Sequence, residues 1–201
     1  MPMRFSMEKQ ENGRVVGTSR LVLRRLVEAD LYAYASLISD AEVMRFIGAG
    51  HLATRREAAQ SIDDLNGRYD DDGFGVLGIE RKTDGRLIGR VGFWIWDRTD
   101  WTGGHTRVAL GERAEVELGW ALLPSVWGHG FATEAAAAMR DYAFHQLRLA
   151  RVISLIHPAN DRSLRVAHRL GAVHEADVET ARWGPAHLFV HVPLVGGSAL
   201  E

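Results

Sequence analysis

From Glu117 to Ala135 the sequence reads as a strand, a glycine turn and a helix in unbroken succession, and this limits the fold more than anything else in the chain. Pro124 stops the strand, Gly128 and Gly130 sit in the turn, and Phe131 opens a helical run to Leu147 whose Ala135–Ala138 stretch has high helix propensity. Glycines let the backbone approach a ligand and take positive φ. The first helical turn adds unbonded N–H groups at the positive end of the helix dipole. Together they make an anion site suited to a pyrophosphate. Two familiar nucleotide patterns fail at named residues. A P-loop needs Gly-Lys-Ser/Thr, and no lysine is near; a dinucleotide fingerprint would put Gly or Ala at Thr133 and an acidic residue where His157 stands.

Around this segment the pattern predicts one mixed α/β domain over residues 19–195, with tails at 1–18 and 196–201. Leu21 and Leu23 alternate with Arg20, Val22 and Arg24 as in a half-buried strand. Glu28-Ala29-Asp30 opens a helix with Leu31, Tyr34, Ala35 and Ile38 on one stripe. Thr54 and Glu57 have capping-box spacing for a helix that ends near Tyr69, before a turn at Asp70-Asp71-Asp72-Gly73. Strands follow at 74–80 and 87–96, joined by a hairpin turn at 82–86, and then a long loop at 97–113. A strand at 151–156, a helix at 160–170 ended by Gly171 and strands near 172–179 and 187–194 complete the chain.

Composition excludes several classes of function. The chain has 201 residues, a formal charge of −2 and no cysteine. A net basic field for nucleic acid is therefore absent, and disulfides, zinc–thiolate sites and cysteine nucleophiles are ruled out. No run approaches the ~18 apolar residues of a membrane span, and the first residues lack a signal-peptide pattern, so a cytoplasmic protein is expected. The nine histidines form no catalytic-zinc motif. His187 and His191 share a strand face without a third ligand on it, so no metal is expected.

The loop Trp127-Gly128-His129-Gly130-Phe131-Ala132 resembles the acyl-CoA pyrophosphate loop of the GNAT N-acetyltransferases. The longer run Trp127 to Ala135, W-G-x-G-[YF]-A-T-E-A, is similar to the RimJ/RimL-like branch. Thr18 to Arg24, Leu87 to Phe93, and His157 to Ser163 with Leu170-Gly171-Ala172 resemble further segments of that family in its order. The resemblance implies a seven-stranded mixed sheet, splayed between its fourth and fifth strands and flanked by about four helices. Acetyl-CoA would lie in the splay as cosubstrate. Its pantetheine would pair with the backbone of Leu122 and Leu123, and its diphosphate with N–H groups of Gly128, His129, Gly130, Phe131, Ala132 and Thr133. Asn160 would cap its helix and bond the pantetheine arm. A homodimer is a family-level expectation.

Amine chemistry sets the catalytic requirement. At pH 7 a lysine-type amine is neutral in only about one molecule in 2,500, whereas an α-amine is neutral in about one in ten, so a general base helps. Glu117 is the candidate base, with Glu115 in reserve two residues earlier on the same strand face. Many family members protonate the thiolate with a tyrosine seven residues after the motif asparagine. Ala167 stands there, and Ser163 is the substitute that the branch suggests. The aromatic set Phe93, Trp94, Trp96 and Trp101 suggests an acceptor floor, with one of the alternating pairs in the core. The leading acceptor is a protein or peptide N-terminal amine. An aminoglycoside, polyamine or amino acid is the alternative within the family, and a non-catalytic acyl-CoA-binding module is the alternative outside enzymes.

Overall fold

A computed structural model describes residues 14–181 and 183–193. Among the described residues nine strands form one mixed sheet: β1 Arg14–Gly17, β2 Leu21–Arg24, β3 Val76–Arg81, β4 Arg86–Asp97, β5 Thr102–Gly103, β6 Ala114–Leu122, β7 Val152–Ile156, β8 Val173–Thr180 and β9 Gly184–His191. The spatial order is β1-β2-β3-β4-β6-β7-β9-β8, with β5 paired to β4 at one end. The helices are α1 Leu31–Ile38, α2 Ala41–Met44, α3 Arg55–Asp72, α4 Arg107–Leu110, α5 Phe131–His145 and α6 Asp161–Arg169. None of them among the described residues is long and apolar enough to cross a membrane.

Neighbouring strands are antiparallel except at one place. β6 and β7 run parallel and meet in register only at Glu117 and Ile153, whereas β4 and β6 pair continuously from Gly89–Leu122 to Asp97–Ala114. Beyond Glu117 the two strands part, giving the expected splay. Ser154 holds its closed end. Its hydroxyl donates to the Leu118 carbonyl across the gap at 2.6 Å, so its remaining contact, at 2.9 Å, is accepted from His191 Nε2–H. Burial, then the Arg140 charge, pushes the His191 pKa down to about 4, keeping that imidazole neutral and able to donate from one nitrogen only.

Each face of the sheet is covered. Leu21, Leu23, Ile79, Val91, Phe93 and Leu118 pack with Met139 and Ala135 of α5. On the other face Tyr34, Leu37, Ile62 and Leu65 of α1 and α3 pack on Val76 and Leu87. Thr54 caps α3 by a capping box with Glu57, and Gly73, in the left-handed region at φ 75°, ends it.

Two boundaries differ from the sequence expectation. Within the stretch expected as an N-terminal tail, β1 pairs with β2 and buries Val16 and Thr18; residues 1–13 and 194–201 lie outside the described residues. With the two-residue β5, this edge strand makes nine strands of the expected seven. Asp70-Asp71-Asp72 is not a turn but the last turn of α3. Asp70 pairs with Arg25 at 2.6 Å, and Asp72 accepts the N–H of Arg107 at 2.9 Å, so long-range partners extend the helix past its local stop signal.

Candidate active site

The glycine turn has left-handed geometry at both glycines. Gly128 and Gly130 take φ values of 80° and 79°, and Gly130 is the N-cap of α5, where no side chain satisfies the first-turn N–H groups. Arg20 clamps the turn from β2. Its Nη1 donates to the His129 carbonyl at 2.9 Å, its Nε to Glu134 at 2.6 Å, and its guanidinium lies 4.4 Å from the Phe131 ring centroid. Glu134 also accepts from Thr18 Oγ1, Ser19 Oγ and the Arg20 N–H. Burial raises the pKa of this carboxyl, and those donors outweigh it and hold it below the usual range.

In front of the turn lies a cavity of about 380 Å³ lined by Leu122, Trp127, Gly128, Gly130, Phe131, Ala132, Thr133, Asn160 and Ser163. Three arginines of α6, Arg162, Arg165 and Arg169, line it too, and Arg162 stacks 4.2 Å from the Trp127 ring centroid. The unpaired N–H groups, the helix N-terminus and these cations all suit a phosphate-rich ligand. Leu122 lies opposite Gly89, next to the bonded pair in which the Leu123 N–H donates to the Ile88 carbonyl at 2.9 Å. The alternation of an antiparallel ladder therefore turns the Leu122 backbone towards the splay and the Leu123 N–H into the sheet. Trp127 Nε1 donates to the Leu122 carbonyl at 2.8 Å, leaving the Leu122 N–H for a ligand. Neither Leu123 nor His129 lines the cavity; His129 Nδ1 turns back to the Trp127 carbonyl at 2.9 Å.

A second cavity, of about 630 Å³, continues the first. The two share Phe46, Ile47, Trp120, Ala121, Asn160 and Ser163, so they form one cleft through the splay. Asn160 caps α6, accepting the Ser163 N–H at 3.2 Å, and Ser163 stands where the cavities join. Glu117 lies at the floor of the second cavity. Its Oε2 accepts from Trp96 Nε1 at 2.5 Å and its Oε1 from the Leu155 N–H at 3.4 Å. Burial pushes the Glu117 pKa up to about 7, against the pull of the Trp96 indole, the Leu155 N–H and the Arg90 charge. Such a carboxyl exchanges a proton near neutrality. Glu115 is occupied elsewhere: Arg151 Nε donates to it at 3.1 Å while also pairing with Glu175. Removing the indole donor in Trp96→Phe should raise the Glu117 pKa further. The acidic limb of a pH–rate profile should move up by about one unit while activity at high pH is retained.

Comparison with known proteins decides the family. The acetyltransferase (GNAT) domain model matches residues 20–173. This chain is a GNAT acetyltransferase. The N-acetyltransferase YoaA of Bacillus subtilis (strain 168), itself described as uncharacterized, is 28% identical over 157 residues, 78% of this chain and 81% of that protein. The crystal structure of the acetyltransferase from Agrobacterium tumefaciens str. C58 superposes with a TM-score of 0.71 at 26% identity, covering 96% of this chain and 99% of that one. The ribosomal-protein-S5-alanine acetyltransferase of Vibrio fischeri shares the fold, with a TM-score of 0.67 at 17% identity over 88% and 95% of the two chains.

Several residues of this acetyltransferase's cleft escape a reading of the sequence. Arg162, Arg165 and Arg169 recur at helical spacing on α6, and that periodicity is the signal that could have found them. Arg90 reaches the second cavity from β4, with its Nη1 donating to the Tyr34 hydroxyl at 2.9 Å, and Arg68 reaches it from α3. The aromatic floor is Trp94, Trp96 and Trp183; Phe93 and Ile95 are core, and Trp101 packs outside the lining. Ala167 is fully buried against Ile156, Ala172 and Phe189, so the missing tyrosine position is part of the core.

Proposed function

We propose that this acetyltransferase moves the acetyl group of acetyl-CoA directly to the α-amine of a protein or peptide N-terminus. The observation that carries the reading is the single cleft. One end offers a pyrophosphate-sized anion site, and the other ends on a carboxyl whose pKa is about 7. Gly128, Gly130, Phe131, Ala132 and Thr133 with the α6 arginines would hold the diphosphate, and the Leu122 N–H and Asn160 the pantetheine arm. Glu117 would take the proton of the bound ammonium. The neutral amine then forms the amide bond at the thioester carbon, and the C–S bond breaks. Ser163, at the junction, would donate a hydrogen bond to the departing thiolate and relay to it the second proton, which the nitrogen sheds as the amide forms.

An α-amine suits a base of this strength better than a lysine side chain does, because less work is needed to deprotonate it. The lining also disfavours a polycation. Glu57 and Asp64 are balanced there by Arg68 and Arg90, leaving Glu117 as the one carboxyl in excess, so the second cavity lacks the strongly acidic field that an aminoglycoside or polyamine would require. The Vibrio fischeri protein of the same fold, a ribosomal-protein-S5-alanine acetyltransferase, is consistent with such an acceptor.

The test begins with thermal shifts against acetyl-CoA, CoA, NAD and ATP, each at about 100 times a plausible Kd. A true ligand then stabilises by ~2.7 kcal/mol, or several degrees for a chain of this size. A shift with CoA species alone supports the cofactor end; a larger one with NAD overturns it. Thiol release is then compared between peptides with a free N-terminus and the same peptides blocked there but carrying lysine. Equal or faster turnover of the blocked peptides overturns the α-amine assignment. The double variant R165A/R169A should raise the KM for acetyl-CoA about tenfold, increasingly so at low salt, and leave the acceptor KM unchanged.

A further inference from the structure

The acetyl-transfer cleft leaves unused a group of three side chains on the outer hairpin β8–β9. Asp177 Oδ1 lies 2.9 Å from His174 Nε2 and 2.6 Å from His187 Nδ1, and one ligand atom from each of the three falls within a 4.8 Å sphere of separations. His174 and Asp177 are three residues apart, and in a regular strand they would face opposite ways. They do not, because β8 carries a bulge. His174 pairs with Phe189 and Asp177 with His187, two residues apart on β9, while the register shift between His174 and Ala176 absorbs Glu175. Glu175 is turned out to Arg151, at 2.6 Å. The bulge thus re-aims one imidazole onto the face that carries the other two groups.

The rings are also held in place. His174 and His187 meet edge to face at 5.2 Å between centroids, and Phe189 packs against both, at 5.6 and 6.5 Å. The group is reachable from solvent, since the side chains of His174, Asp177 and His187 keep 47%, 72% and 31% of their exposure.

We propose that His174, Asp177 and His187 form a binding site for a borderline divalent transition metal such as Zn²⁺, with two imidazoles, one carboxylate and solvent completing the coordination. Two neutral imidazoles and a carboxylate give a net charge of −1 towards the ion, and this donor set suits zinc and not magnesium or calcium. Ligand atoms of a tetrahedral ion stand about 3.3 Å apart at bond lengths near 2.0 Å, so Asp177 Oδ1, at 2.9 and 2.6 Å from the two nitrogens, would move outward from both on binding. Each imidazole would then carry its proton on the other ring nitrogen. The bound ion would tie the terminal strand β8 to β9. The sequence expectation of no metal weighed His187 with His191 on one strand, whereas the group here joins His187 of β9 to His174 and Asp177 of β8.

The test uses the full chain without a histidine tag. Calorimetric titration with ZnCl₂ should show one equivalent bound in the micromolar range or tighter, and CoCl₂ should develop visible d–d bands that Zn²⁺ abolishes. Zn²⁺ should raise the Tm, and Mg²⁺ and Ca²⁺ should not. D177N, an exposed change that leaves the fold intact, and H187Q, checked by circular dichroism, should each weaken binding about tenfold or more and remove the Tm rise. Zn²⁺ binding only at roughly 100 µM or weaker, or tight binding that persists in both variants, overturns the proposal. The readout is independent of acetyl transfer.

Discussion

Glu117→Gln is expected to lower kcat/KM at pH 7 by about 10²–10⁴-fold while leaving the affinity for CoA unchanged. The glutamine keeps the shape and one acceptor for the Trp96 indole, so the cleft stays intact and only proton exchange is lost. In the natural chain kcat/KM should rise with pH through about 7, the value to which burial lifts this carboxyl. That limb should vanish in the variant, leaving only the titration of the acceptor amine. Turnover unchanged in E117Q would remove Glu117 as the base.

The same variant should be more stable than the natural chain, and the sign depends on pH. The folded-state pKa of Glu117, about 7, is raised above that of an unfolded glutamate, near ~4.3. Folding therefore favours the protonated form. This contribution is fully present below the unfolded value and is lost as pH rises through the folded one. With allowance for partial exposure to the cavity, the loss by pH 8 is about 2 kcal/mol, or roughly 4–8 °C in Tm for a chain of this length. The Tm advantage of E117Q should accordingly be small at pH 5 and large at pH 8. An advantage that is equal at both pH values would mean that the carboxyl titrates normally.

How much of this site a reader of the sequence could see follows from the range of the interactions. Thr54–Glu57, the Asn160 cap and the two loop glycines are legible because their partners lie within three residues or in the backbone itself. Trp96 could be placed on an aromatic strand, but its bond to Glu117 crosses from β4 to β6 and depends on the strand register. Arg90 and Trp183 join the second cavity from strands and turns that only the sheet order brings near. Asp70 reads as part of a turn because its partner, Arg25, is 45 residues away. β1 is hidden for a related reason: it is an edge strand between glycines, and its one buried valine is a weak periodic signal. Bulges are the least legible. One extra residue at Glu175 reverses which side chains share a face, and alternation alone predicts the opposite.

Gly92→Ala is expected to destabilise the fold by about 4 kcal/mol, lowering the Tm by roughly 8–16 °C. Gly92 takes φ 149°, and a Cβ there would lie 2.2 Å from the Gly75 carbonyl oxygen and 2.6 Å from Val76 Cα, both of them backbone. No side-chain movement can relieve such an overlap, so β3 and β4 must separate. Gly128→Ala is the comparison without a backbone overlap. Its φ of 80° borders the left-handed region that L-residues occasionally adopt, and nothing lies within 4 Å of the added carbon, so only about 1 kcal/mol should be lost. The difference between the variants, read from urea melts at one pH, therefore combines the close approach at Gly92 with the greater strain of its φ of 149°. It also bears on function. Gly92 lies on β4 opposite Gly119 and two residues before Trp94, the partner of Glu117, so pushing β3 away at this point should disturb the register that brings Trp96 to the carboxyl. Residual folded G92A should then show the same alkaline shift of its pH–rate profile as Trp96→Phe. If G92A loses no more stability than G128A, the close packing of β3 on β4 does not set the geometry of the site.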